Sequence, residues 1–537
     1  MMKFKIHYPF VIAAGISLFL PLKLRAQLLN GKDLTMGSSI NTSGKTLQDA
    51  SRIGRTSGAK APEFQELYDY EVSAKNLVSA TFPYQMLLHK AYVIMLAEQK
   101  IINHKEAKDI LNGLLKVDKL AIANPSLQVY LPYEAQLIKE IGNVGGKMHI
   151  GRSRNDLDNT TNRLFLRDQL LEVIESVINL RKAIQAKALD HLQTVMVIYT
   201  HRKEAQPGTL AHYLTAIDES LAKNLERYLQ LYERIDQCPL GSGASGGTSW
   251  ALNRYRVADL LGFNQLVVNT IEGVAGWDHI AEFASDNAIF MSDLSRLASE
   301  IQLWSTDEYN SVELNNSYAG ISSMMPQKKN PDALERTRKA ASITIGQLMS
   351  VLTSLNSIEY QHSGVRVMLE PKALDALLAA THTMTGVVST LQVNKETMLR
   401  YARENFSTMT DLADLLVRNT NLDFRDAHEV IASVVGQAIT EKKTADQITL
   451  KMIQTAAKKR LGHELTISEK QLQAALDPVQ SVAHKTGPGM PAISPVMEMI
   501  STGQKDVVTK ALWLEKQKVH LNRKNIELME LVKEYCQ

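Results

Sequence analysis

The sequence predicts an all-α protein of about three domains built around a central bundle of long helices. Three observations carry that prediction. Apolar residues recur at helical spacing over long stretches, alternating strand patterns are scarce, and 537 residues exceed what one hydrophobic core holds. Phe290, Leu294, Leu297, Ile301 and Trp304 are spaced 4, 3, 4 and 3 residues apart, which sets all five on one helical stripe. Leu170, Ile174, Val177 and Ile184 behave alike, as do Ile345, Leu348, Leu352 and Leu355. Such stripes must bury against one another, and apolar positions on more than one face also suit packing between subunits.

In chain order, residues 1–26 read as a secretory signal. Lys3 and Lys5 precede an apolar run from Tyr8 to Leu22, and Ala26 supplies a small residue for cleavage, although Leu24 is not small and Lys23 and Arg25 crowd the cut. A periplasmic or secreted protein is therefore expected, the alternative being a cytoplasmic protein with an apolar tail. Residues 27–62, rich in Gly, Ser, Thr and Lys, form a flexible lead-in. The expected domains are an N-terminal helical domain at 63–152, the central bundle at 153–405 and a C-terminal helical domain at 406–537. Within the last, Val508 to Cys536 reads as a helix with a solvated, Lys-rich face. Past the signal, no stretch is apolar enough to cross a bilayer, so no membrane association is expected of the mature chain. Gly-rich breaks at 145–146, 241–247, 320–331 and 486–491 interrupt the helices. Loops on a rigid helical frame are where chemistry is usually placed.

The 60 basic and 57 acidic side chains leave a formal charge of +3, which excludes a strongly basic nucleic-acid carrier and a highly charged disordered chain. Cys238 and Cys536, the two cysteines present, make neither a disulfide framework nor a multi-cysteine metal site.

Three polar segments hold reactive groups. From Gly145 to Asp156 the guanidinium groups of Arg152 and Arg154 and the amide of Asn155 can grip a carboxylate through bidentate hydrogen bonds. Taken alone, they are equally a surface charge cluster. From Tyr199 to Pro207, His201 is suited to proton transfer near neutral pH, and Thr200 beside it can donate to a carboxylate or cap a turn. Between Gly320 and Pro331 the hydroxyls of Ser322 and Ser323, the amines of Lys328 and Lys329 and the amide of Asn330 lie within nine residues. A segment bounded by Gly and Pro with that content suits a mobile loop closing over an anion, or a polar hinge.

In combination and in this order, the segments resemble the argininosuccinate lyase branch of the fumarase/aspartase superfamily. The resemblance rests on Gly151 to Asp156, Thr200 to Pro207 and the Ser322 to Asp332 loop, with further matches at 239–244, 411–414 and 424–428. It spans roughly Leu67 to Ile500. It implies a three-domain fumarase/aspartase-like subunit, a homotetramer whose active sites are shared between subunits, and anti β-elimination of fumarate from a dicarboxylate substrate without metal or organic cofactor. It also implies roles. Ser322 takes the C3 proton, with Ser323 beside it, and Lys328 and Asn330 stabilise the aci-carboxylate. Arg154, Asn155 and Thr200 bind carboxylates. His201 lies near the leaving group, with Glu335 as its carboxylate partner.

The departures from the family pattern gather at the amine side. Tyr130 stands where the family has a histidine, Leu157 replaces a glutamine, and Gln361 to Leu369, with Arg366, replaces a polar stretch that holds the amino-acid end of the substrate. Ile321 replaces a glycine and restricts the loop if that position needs φ > 0. Tyr130 and Arg366 are accordingly expected against the substrate. The function expected is release of fumarate from an N-substituted aspartate, in the manner of ethylenediamine-disuccinate lyase. Argininosuccinate cleavage and a non-catalytic scaffold of the same fold are the alternatives.

Overall fold

A computed structural model describes residues 77–537; the expected signal, the lead-in and the start of the N-terminal domain lie outside the described residues. The longer helices fall into three groups. The first is α1 (Leu77–Glu98), α2 (His104–Ala123) and α3 (Tyr130–Ile141). The second is α4 (Arg154–Asp190), α5 (Leu210–Ile235), α6 (Asp278–Trp304), α7 (Asp332–Asn356) and α8 (Pro371–Thr390). The third is α9 (Met409–Asn419), α10 (Phe424–Thr440), α11 (Leu450–Leu461) and α12 (Glu469–Leu476), after which α13 (Ile493–Cys536) closes the chain.

The centre of the bundle is α4. Ser153 and Asp156 form a capping box that fixes its start. Leu166, Leu170, Val173, Ile174, Val177, Leu180 and Ile184 along it are fully buried, as befits a helix covered on most sides. It packs against α5, α8 and α13, while α6 packs against α5 and α7. The Phe290 to Trp304 stripe of α6 is buried throughout. The third stripe behaves differently. Ile345 and Leu352 of α7 are 43% and 45% exposed, and Ile343 and Met349 beside them also face outward. The subunit therefore leaves an apolar ridge on α7 that its own helices do not cover.

The cores redraw one expected boundary. Helices α9 to α12 share a small core of their own. The segment 493–536 does not join it. Val496, Ile500, Val507 and Leu514 of α13 enter the bundle core, and Leu528 and Val532 enter the N-terminal core. The Lys-rich face of α13 is not simply solvated either, since Lys510, Lys518 and Lys524 reach Glu226, Glu175 and Asp259 at 3.0, 2.7 and 2.5 Å. A further difference is a hairpin of β1 (Val195–Thr200) and β2 (Lys203–Thr209), antiparallel, inserted between α4 and α5. No helix among the described residues is long and apolar enough to cross a membrane.

The docking of α13 is close at Gly503. A Cβ there would stand 2.5 Å from Asp218 Oδ2 and 3.0 Å from Gln185 Nε2. Asp218 is paired at 2.8 Å with Arg181, whose side chain is 1% exposed. Alanine ordinarily favours a helix over glycine, but here the clash opposes it. Gly503→Ala is expected to lower stability by about 1–3 kcal/mol, while Ser501→Ala, on the exposed face of the same helix, stays within about 0.5 kcal/mol. Denaturant midpoints followed by helical circular dichroism decide between them.

Candidate active site

The two ends of the bundle carry different groups of the expected site residues. At one end, Asp156 joins the start of α4 to the Gly-rich loop. It is fully buried, and its Oδ2 accepts the Gly241 and Gly243 N–H groups, both at 2.9 Å, while Oδ1 accepts that of Ser153. Burial raises its pKa, and the three N–H donors oppose that shift by favouring the carboxylate. Gly243 has φ +61° and no room for a Cβ, which would meet the Gly247 carbonyl oxygen at 2.8 Å. This clamp fixes where Arg154 and Asn155, the first residues of α4, emerge.

Arg154 is exposed. One turn on, Asp158 lies on the same face and feels both Arg154 and Arg366. Its side chain reaches water yet is crowded by protein, and this burial, against the pull of the two arginines, raises its pKa to about 7. The Arg366 guanidinium stacks 3.9 Å above the Trp277 ring and donates to the Val274 and Ser363 carbonyls and to His362 Nδ1. His362 is thereby held neutral. Burial first, then Arg366 and Arg154, lower its pKa to about 4. Arg366 is thus half-buried beside Arg154, where a ligand contact was expected. Tyr130 is not: it is 5% exposed, and its hydroxyl meets Glu134 Oε1 at 3.0 Å and His149 Nδ1 at 2.7 Å. It belongs to the N-terminal core, with its phenol kept protonated by burial.

The other end holds the loop. Gly320 and Ile321 pair antiparallel with Asn330 and Lys329, which leaves 322–328 as a protruding flap at the start of α7. Gly320 is needed for close approach, since a Cβ there would lie 2.5 Å from the Asp332 carboxylate. Ile321 is not at positive φ, so the strain anticipated there does not arise. Ser322 Oγ accepts the backbone N–H groups of Met325 at 3.0 Å and Met324 at 3.3 Å. Two donors aimed at one hydroxyl oxygen favour its alkoxide, the form a serine base requires. Ser323 and Lys328 are exposed on the flap, and Asn330 donates to the Ile321 carbonyl at 3.4 Å.

Thr200 and His201 lie at the hairpin tip, where His201 and Arg202 both adopt left-handed φ, 53° and 58°. Such strain in non-glycine residues is concentrated at functional sites. Within the subunit the expected partner of His201, Glu335, meets the Gln302 side chain instead, at 3.5 Å.

The α6 helix measures the separation of the two ends. Arg366 sits at Trp277, just before α6, and Glu335 meets Gln302 near its end. The 25 residues between them span roughly 37 Å of helix. One subunit therefore gathers Arg154, Asn155 and Arg366 at one end, and Ser322, Ser323, Lys328, Asn330 and Glu335 at the other. Asp158 and His362 were missed in the sequence. The i+4 spacing from Arg154 was the available signal for Asp158, whereas His362 lay within the Gln361 to Leu369 stretch, where Arg366 alone was singled out.

A long-helix bundle with a serine flap on this loop signature defines a lyase of the fumarase/aspartase type. Residues 65–348 match the lyase family and residues 406–483 the argininosuccinate lyase C-terminal family. The argininosuccinate lyase of Methanocaldococcus jannaschii is 37% identical over 78% of this chain and 87% of its own. That of Methanosarcina mazei is 33% identical over 90% of this chain and 99% of its own. A crystal structure of EDDS lyase in complex with formate is 57% identical, with TM-score 0.85 over 91% of this chain and 98% of that one. A muconate lactonizing enzyme from Pseudomonas putida, 18% identical with TM-score 0.63, shares the fold. The chain belongs to the argininosuccinate lyase branch of the fumarase/aspartase superfamily, and it is a carbon–nitrogen lyase that releases fumarate.

Asp158 gives the Arg154 end of the bundle a pH dependence with a definite sign. Below about 7 its carboxyl is neutral and leaves the field of Arg154 undiminished. Above that it ionises and opposes an anion bound one turn away. Inhibition by fumarate is expected to weaken about fivefold as pH rises through this range. Inhibition constants measured across pH should show no such step in Asp158→Asn.

Proposed function

We propose that this enzyme cleaves an N-substituted aspartate of the ethylenediamine-disuccinate kind into fumarate and an amine, in preference to argininosuccinate. The observation that carries the reading is the contrast between the two halves of the site. The groups for a succinyl moiety follow the argininosuccinate lyase pattern, whereas His362 and Arg366 stand in the stretch that replaces the family's polar residues for the amino-acid end, and a buried Tyr130 replaces its histidine. A site with changed polar partners discriminates strongly between leaving groups, because unmatched buried polar groups are costly. The 57% identity to EDDS lyase, against 33–37% to the argininosuccinate lyases, supports the same choice.

In the proposed reaction Ser322, as alkoxide, removes the C3 proton, aided by the N–H groups of residues 324 and 325 and by the Lys328 charge. The electron pair moves into the adjacent carboxylate, where Lys328 and Asn330 balance the developing charge. Collapse of that aci-carboxylate forms the C2–C3 double bond and breaks the C–N bond, and the amine leaves with a proton. Arg154, Asn155 and Thr200 hold the carboxylates, His201 attends the leaving nitrogen and Glu335 supports it. Because the bundle parts these groups within a subunit, the reading includes a homotetramer with shared sites, in which the outward apolar ridge of α7 is covered. The flap tip, with Met324 87% exposed, then closes against another copy. Export through residues 1–26 belongs to the same reading, since arginine synthesis is cytoplasmic and a catabolic lyase need not be.

The test follows fumarate absorbance on purified protein with N-substituted aspartates and with argininosuccinate. Turnover of the former is expected, and turnover of argininosuccinate alone would reject the substrate. Ser322→Ala should lower kcat by about 10²–10⁴-fold if Ser322 is the base; an unchanged rate would remove it from that role.

A further inference from the structure

Tyr130 is buried within the subunit, and its surroundings determine what the neighbouring His149 presents. A phenol has one proton, and the Glu134 carboxylate at 3.0 Å can only accept. The hydroxyl therefore donates to Glu134 and accepts from His149 Nδ1, 2.7 Å away, which fixes the imidazole proton on Nδ1. The two rings are 5.1 Å apart and tilted by 35°, and the Arg152 guanidinium lies 5.8 Å over the Tyr130 ring. Burial, then Arg152 and Arg154, lower the pKa of His149 to about 4, so the ring is neutral. Its Nε2 is left as a lone pair with no partner among the described residues, on a ring within the field of Arg154.

A neutral acceptor is unsuited to a carboxylate, which offers no donor. In an N-substituted aspartate with ionised carboxylates, the nearest donors are the N–H groups at the leaving nitrogen. We propose that His149 Nε2 accepts a hydrogen bond from the nitrogen side of the substrate, with Tyr130 and Glu134 as positioning residues that hold its tautomer. The inference rests on the N-substituted aspartate reading and names the group that would select for nitrogen at the scissile bond. Arg154 on one side binds what is negative; His149 beside it takes what donates.

The experiment compares an N-alkyl aspartate with the O-alkyl malate of the same shape, whose ether oxygen has no hydrogen and faces Nε2 lone pair to lone pair. The KM of the N-alkyl aspartate and the inhibition constant of the O-alkyl malate against its turnover are measured for the full-length wild type, His149→Phe, His149→Gln and Tyr130→Phe. The wild type should prefer the nitrogen ligand by roughly tenfold or more. His149→Phe should erase that preference while fumarate inhibition stays within about twofold. His149→Gln, which keeps an acceptor, should retain part of it, and Tyr130→Phe, which frees the tautomer, should fall between. An unaltered preference in His149→Phe overturns the inference, and so does a parallel loss of fumarate and amine ligands. If His149→Phe does not assemble, an unaltered preference in Tyr130→Phe does the same. Absence of wild-type turnover on any N-substituted aspartate would instead reject the substrate reading on which this one stands.

Discussion

The central helices are long and packed against one another over most of their length, and that rigidity fixes how far apart two halves of a reaction lie within one chain. The 37 residues of α4 extend roughly 55 Å. Its start carries Arg154 and Asn155, and the hairpin beyond its end carries Thr200 and His201. Loop movements of a few ångströms do not bridge such a span. In the proposed function, therefore, the carboxylate-binding, proton-accepting and leaving-group residues come to one substrate from different copies. The exposed ridge on α7 and the apolar flap tip fit that demand, since uncovered apolar surface of this kind marks an interface.

Within each end, precision comes from backbone donors. Asp156 accepts three N–H groups and so ties the Gly-rich loop to the helix that presents Arg154. Ser322 accepts two from its own flap, an arrangement that favours charge on its oxygen, as its proposed role as base requires. In both places an acceptor is matched to donors that cost nothing to reorganise during the reaction. In the role proposed for them, Tyr130 and His149 act differently, by fixing where protons sit instead of where charge develops.

Much of this was legible in the sequence. Stripes such as Phe290 to Trp304 could bury themselves only as helices, and the loop signatures singled out Ser322 and Lys328, which the structure places on one flap, and His201, which it places at a hairpin tip. What escaped notice depended on tertiary context. The β1–β2 hairpin turns through left-handed His201 and Arg202 without the glycine or asparagine that would announce it. The inward face of α13 was concealed among its lysines, so its return to the bundle was not apparent. Tyr130 was expected against the ligand because position alone does not reveal burial. His149, two residues before the Gly151 to Asp156 signature, drew no notice because its role depends on a hydroxyl nineteen residues earlier in the chain.

Subunit mixing tests the shared-site account most directly. Arg154→Ala and Ser322→Ala proteins, each inactive alone, would be dissociated together and reassembled. If every site draws Arg154 and Ser322 from different copies, about a quarter of the sites in random mixed tetramers regain both residues, and fumarate release should recover to a matching fraction of wild type. No recovery from mixtures shown to contain hybrid assemblies would mean that a single chain supplies both, and would contradict the account.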